Sequence, residues 1–220
     1  MQGRLLATGI LIQINISMGN LVAFGCSLTF GHGLPDCFIP PVFPGKSPSL
    51  LSWPALVAKN LGVNCANNSS PGSSNFEIAL SVMSYKFNKD DLCLIMWSYP
   101  DRDIVIHDNG YQEKLGAWAD QSKFQKWLSL NPDATRTIKF WFNVVAIDRY
   151  LKMIGLKYFN LTVGLQYIPG LMPVWASEVK FLDANINRYR HKFPKALDDR
   201  HPGELAHAAM AKDVLLEIER

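Results

Sequence analysis

Leu92-Cys93-Leu94-Ile95-Met96-Trp97 is an unbroken run of six apolar residues. It lacks the polar alternation of a strand with one wet face, so it reads as a strand buried on both faces, as in the interior of a parallel sheet. Leu21–Gly25 is a second short apolar run, ending in glycine. Gly62–Ala66 and Leu156–Leu165 read as two further strands. Between them lie helical patterns: Ser52–Leu61, with Trp53, Leu56, Val57 and Leu61 at helical spacing, then Phe76–Phe87, and the closing amphipathic stretch Gly203–Arg220. Asp133–Leu156 carries Ile138, Trp141, Phe142, Val145, Ile147, Leu151 and Ile154, which predicts a long helix packed on more than one side. Strands alternating with helices imply an α/β fold of three layers, α/β/α, around a central parallel sheet containing Leu21–Gly25, Val63–Ala66, Leu92–Trp97 and Tyr158–Leu165. In such sheets ligands bind beyond the carboxyl ends of the strands, so function is expected just after Gly25, Ala66, Trp97 and Leu165.

Residues 18–220 are expected to form a single domain, a size that buries one sizeable core. Residues 1–17 are read as an N-terminal extension or an extra edge strand: their apolar run is too short to span a membrane and no A-x-A-like cleavage site follows, while Met18 is a second possible start. Six prolines between Pro35 and Pro54 mark a long ordered loop. The formal charge is only +3 and the 22 basic residues are scattered, so neither a nucleic-acid nor a membrane partner is expected. The four cysteines, Cys26, Cys37, Cys65 and Cys93, show no CxxC pairing and read as reduced thiols. That points to a cytoplasmic or virion-made protein ahead of a secreted one.

Two segments carry chemistry. Ser27 stands two residues past the first strand in a turn opened by Gly25, where a serine is lifted above the sheet edge and backbone N–H groups can face a nearby oxyanion. Taken alone it reads first as a helix cap. Asp198-Asp199-Arg200-His201-Pro202 supplies a histidine with a carboxylate three residues earlier, able to fix its tautomer and stabilise the imidazolium. Asp199 is the alternative partner, and Pro202 is expected in the first turn of the terminal helix.

Gly25-Cys26-Ser27-Leu28-Thr29 resembles the first block of the SGNH (GDSL-like) hydrolases, usually G-D-S-x-T, and Asp198-x-x-His201-Pro202 resembles their last. Asn67-Asn68-Ser69-Ser70-Pro71-Gly72-Ser73-Ser74-Asn75 is similar to the second block, whose glycine lends an N–H to the oxyanion hole. The blocks fall in family order across residues 21 to 210. The resemblance implies the flavodoxin-like SGNH-hydrolase fold, with Ser27 as nucleophile, His201 as acid and base, Asp198 orienting it, and the N–H groups of Ser27 and Gly72 as oxyanion donors.

Two departures from the family pattern stand out. The usual Asp of the first block is Cys26, and the G-x-N-D block is replaced after the third strand by Trp97-Ser98-Tyr99-Pro100-Asp101-Arg102, a W-S-x-x-x-R variant. The third oxyanion donor is then Asn75, Ser98 or Tyr99, or is dispensed with; for Asn75, capping its helix is an equal alternative. Arg102 is a candidate for binding an anionic substrate group, or equally it pairs with Asp101 or another carboxylate. His32 is close enough to Ser27 to line the pocket, and His207 reads as a packed core histidine. No His, Asp or Glu set shows metal-ligand spacing, so neither metal nor cofactor is expected. The expected substrate is a small-molecule or glycan ester of the O-acetyl type, hydrolysed through an acyl-enzyme. The alternatives are an acyltransferase using the same residues and a decayed glycan-binding module. Substrate choice is expected to reside in Phe30–Ser52 and in the aromatic-rich stretch Tyr111–Trp141.

Overall fold

The computed structural model describes residues 19–41, 43–163 and 172–219. The expected extension at 1–17 and the last residues of the fourth strand lie outside them. In chain order the elements are β1 (Leu21–Phe24), α1 (Ser27–Phe30), the two-residue strands β2 (Phe38–Ile39) and β3 (Phe43–Pro44), α2 (Trp53–Leu61), β4 (Cys65–Asn67), α3 (Asn75–Ser84), β5 (Leu92–Trp97), β6 (Asp103–Ile106), β7 (Gln112–Leu115), α4 (Gln121–Leu130), α5 (Asp133–Met153), β8 (Lys157–Thr162) and α6 (Glu204–Ile218).

β4, β1, β5 and β8 form one parallel sheet in that order, with Phe24 beside Ile95 and Trp97 beside Thr162. Successive side chains of a strand point to opposite faces, so the apolar runs supply two cores. Leu21, Ala23, Leu92, Leu94 and Met96 pack against Trp53 and Val57 of α2 and Met210 and Val214 of α6. Val22, Phe24, Cys93, Ile95 and Trp97 pack against Ile78 and Val82 of α3 and Phe140 and Val144 of α5. The three layers expected from the alternation are therefore present, with β1 and β5 fully buried at the centre.

The connection from β1 leads outward to β4 on one side, and the next crosses back to β5 on the other. The strand order thus reverses at β1, where the crevice for a ligand opens. Ser27 is the third residue past the end of β1 at this switch point.

Two local expectations are corrected. α5 buries only one face: Ile138 and Phe142 are exposed, while Phe140, Trp141, Val144 and Ile147 are buried. Pro202 is not in the first turn of α6; Gly203 is its N-cap, and Pro202 bridges to Lys195. After β5, strands β6 and β7 form an antiparallel hairpin, followed by α4, whose start is capped by Asp120 accepting from the Ser122 and Lys123 N–H groups. All four cysteines are free thiols. Among the described residues no helix is long and apolar enough to cross a membrane.

His207 joins the two helices of one layer. Its Nδ1 accepts the Trp53 backbone N–H at 3.1 Å. Burial, with His201 adding to it, pushes the His207 pKa down to about 3. Below the ordinary histidine value of about 6.5 the unfolded chain therefore takes up a proton that the folded chain refuses, so this group's stabilisation is present above about 6.5 and is lost as pH falls toward 3. In urea titrations, lowering the pH from 7.5 to 5 is expected to cost the wild type about 2 kcal/mol more than it costs His207→Gln. Equal losses in the two proteins would remove His207 as the cause.

Candidate active site

The chain leaves β1 through Gly25 and Cys26 and turns at once into α1, so that Ser27 sits at the carboxyl end of a central strand. Its hydroxyl lies 3.0 Å from His201 Nε2, and His201 Nδ1 lies 2.5 Å from Asp198 Oδ2. The other Asp198 oxygen accepts the N–H groups of Arg200 and His201, each at 3.0 Å. Asp199 does not take this role: it is exposed, with φ +54°, and among the described residues only its N–H is engaged, to the Ala196 carbonyl.

The segment bearing His201 is fastened at two points. The Ala196 N–H donates to the His201 carbonyl, and the Leu197 N–H donates to the Gly33 carbonyl on the far side of α1. Gly33 has φ +88°, and a Cβ there would meet the Asp198 carboxyl carbon at 2.8 Å. Glycine is therefore required both by the backbone and by the close approach of Asp198.

Burial pushes the Asp198 carboxyl up, but the His201 backbone and ring bonds and the Arg200 N–H together hold it below the ordinary aspartate value. For His201 burial is the largest influence and lowers the pKa; the Asp198 bond and charge oppose it, while His32 and Arg190 add to the lowering. The ring is thus neutral near pH 7 and able to accept a proton from Ser27. His32 stacks on it, ring centroids 4.5 Å apart at 27°.

Ser27, His32 and His201 open into a pocket of about 330 Å³. Gly72, Trp118, Arg102 and Arg200 complete its wall. Gly72 has φ +76°, and its Cα side packs toward the Trp118 ring, 3.2 Å from where a Cβ would be. Among the described residues neither the Ser27 nor the Gly72 N–H has a hydrogen-bond partner. Lys114 of β7 holds the Gly72 loop from outside through the Pro71 carbonyl at 3.0 Å and pairs with Glu77 of α3 at 3.2 Å.

Asn75 and Ser98 do not face this pocket, which corrects the sequence expectation for both as oxyanion donors. Asn75 Nδ2 donates to the Ser98 and Tyr99 carbonyls at 3.1 and 3.2 Å, and its Oδ1 accepts the Ser98 N–H at 2.7 Å. Both of its N–H donors are thus spent on bracing the chain after β5. Ser98 is buried, and its hydroxyl accepts from Arg102 Nη1 at 2.9 Å. Helix capping falls to Ser74, which forms a reciprocal box with Glu77. Tyr99 OH accepts from Asn187 Nδ2 at 3.0 Å.

No sequence signal singled out Arg200, although it lies inside the Asp198–His201 segment. Trp118 lies within the aromatic-rich stretch Tyr111–Trp141, with nothing in the sequence to set it apart. His32, Asp198 and His201 also bring three potential metal-ligand atoms within 4.8 Å of one another. The His201 nitrogens are already spent on Asp198 and Ser27, so a cation there would have to break the serine contact.

No protein-family model and no curated protein sequence matches the chain. Solved structures do. The acetyl xylan esterase Est2A from Butyrivibrio proteoclasticus superposes with a TM-score of 0.57 at 11% identity, covering 91% of this chain and 63% of that one. The chain thus spans a little under two thirds of that esterase's length. A putative lipolytic protein of the G-D-S-L family from Desulfitobacterium hafniense gives 0.51 at 13% identity, over 89% of this chain and 97% of that one. The fold is that of the SGNH hydrolases. A further match, an α/β hydrolase enzyme from the metagenome of Lake Arreo, Spain, gives a TM-score of 0.56 at 16% identity over 90% and 94% of the two chains.

Because His201 must be neutral to accept a proton, the acid limb of the kcat/KM profile for ester turnover is expected to have its midpoint below about 6.5. A midpoint above about 7 would contradict the lowered His201 pKa.

Proposed function

We propose that the protein is a serine esterase acting on acetyl-type esters borne by carbohydrates, and that Ser27, His201 and Asp198 are its catalytic residues. The observation that carries this reading is the continuous hydrogen-bonded chain from the Ser27 hydroxyl through both His201 nitrogens to a buried, ionised Asp198. The acetyl xylan esterase among the fold's neighbours supports the choice of substrate class.

In this mechanism His201 Nε2 takes the Ser27 proton as Oγ attacks the ester carbonyl. Asp198 keeps the other ring proton in place and stabilises the imidazolium as it forms. The oxyanion of the tetrahedral intermediate is met by the Ser27 and Gly72 N–H groups, which have no protein partner among the described residues. His201 returns its proton to the departing alcohol, and a water activated by the same ring then releases the acid from the acyl-enzyme. The Trp118 ring beside Gly72 offers an apolar face against which a sugar ring can stack. Residues 18–220 act in this reading as one catalytic domain.

Fluorophosphonate labelling followed by peptide mapping tests nucleophile activation without assuming a substrate. The adduct is expected on Ser27 and lost in His201→Ala. With an acetyl ester, Ser27→Ala and His201→Ala are each expected to lower kcat by at least roughly 10³-fold, and Asp198→Asn by at least roughly 10²-fold. Labelling at another residue, or undiminished turnover in Ser27→Ala, would overturn the assignment.

A further inference from the structure

Arg102 and Arg200 reach the same pocket from different loops, one after β5 and the other within the segment that carries His201. Among the described residues neither makes an ion pair, whereas Arg136 and Arg188 are matched with Asp133 and Asp183. Asp101, the neighbour that could have neutralised Arg102, does not. Among the described residues the sole acid in the pocket wall is Asp198, and both its oxygens are occupied by His201 and the Arg200 N–H.

Arg102 is moreover held in place. Its Nη1 is tied to Ser98 Oγ, and its guanidinium carbon lies 5.0 Å from the Tyr99 ring centroid and 4.7 Å from that of Trp118. Ser98 is fixed in turn by the Asn75 amide. A guanidinium stacked and tethered in this way keeps further donors for a ligand and loses little freedom on binding one. A third arginine, Arg190, donates to the Arg200 carbonyl behind the pocket and adds to the positive field.

Arg102 is half-buried and Arg200 exposed, and among the described residues neither has a counter-charge, so Arg102 above all is left uncompensated until an anion arrives. The planar fork of arginine matches a carboxylate better than a neutral hydroxyl. We infer that the pocket selects esters whose alcohol part bears a carboxylate, such as an acetylated uronic acid, with Arg102 as the principal contact and Arg200 as the second. This deepens the esterase reading above and rests on it. The oxyanion itself is left to the Ser27 and Gly72 N–H groups, since two arginines on two loops supply more positive charge than one developing oxyanion calls for.

The test compares the monoacetylated methyl glycosides of glucuronic acid and of glucose, which differ in the carboxylate. The wild type is expected to favour the uronide in kcat/KM by roughly ten- to hundred-fold, the scale of a charged hydrogen-bonded contact. That ratio is expected to fall by at least about ten-fold in Arg102→Gln, through KM, and to be partly restored in Arg102→Lys. Should Arg102→Gln fail to fold, the wild type serves alone: unacetylated methyl glucuronide is expected to protect Ser27 from the fluorophosphonate, and methyl glucoside is not. Equal turnover of the two esters by the wild type overturns the proposal, as does failure to turn over either one while Ser27 still takes the fluorophosphonate. An equal fall of kcat on both esters in Arg102→Gln also overturns it and makes Arg102 an oxyanion donor instead. Absence of the Ser27 adduct in the wild type would instead remove the esterase reading on which the proposal rests.

Discussion

The Asp198 carboxylate holds the site together. One oxygen accepts two backbone N–H groups of its own loop and the other accepts the His201 ring, so a single buried charge both folds the segment and aims the imidazole. Taking a carboxylate out of water is costly unless its oxygens are filled, and here they are. The Leu197 N–H then fastens this loop to the Gly33 carbonyl, just past the helix that begins with Ser27. Residues 174 positions apart in sequence are thereby brought to 3.0 Å. The parallel sheet makes the meeting possible, because it sends the carboxyl end of β1 into the crevice where the strand order reverses.

The wall opposite His201 is built by indirect support. Asn75 does not reach into the pocket; it knits the Ser98 and Tyr99 backbone, and Ser98 in turn holds Arg102. Lys114 of the β6–β7 hairpin steadies the Gly72 loop while pairing with Glu77 at the start of α3. The residues after β5 thus present a positioned guanidinium to the pocket, and the hairpin that follows supports the wall from behind.

Elements with strong local signals were legible in the sequence. LCLIMW and LVAFG can be buried only as interior strands, and the one-sided spacing of Trp53, Val57 and Leu61 leaves little choice but a helix on the sheet. The relation of Ser27, Asp198 and His201 was legible because it lies in two short segments, each at a place that topology makes functional. The destinations of Asn75 and Ser98 were not, since an amide that braces a backbone and one that faces a ligand look alike in sequence. The hairpin β6–β7 escaped notice because its strands are short and largely polar or exposed, with no buried face to impose alternation. The reach of Arg200 depends on the turn that Asp198 imposes, which no periodicity encodes. On α5 the many apolar residues overstated burial: Ile138 and Phe142 are exposed beside the pocket-facing loops.

The proposed acyl-enzyme is the point at which fold, hydrogen-bonded chain and chemistry meet. The most direct measurement mixes the protein with an activated acetyl ester, quenches in acid within the first turnover, and maps the modified peptide by mass spectrometry. The account predicts a gain of one acetyl group on Ser27, formed in the wild type and absent in His201→Ala. Turnover proceeding with no acetyl adduct on Ser27, or with the adduct on another side chain, would contradict it.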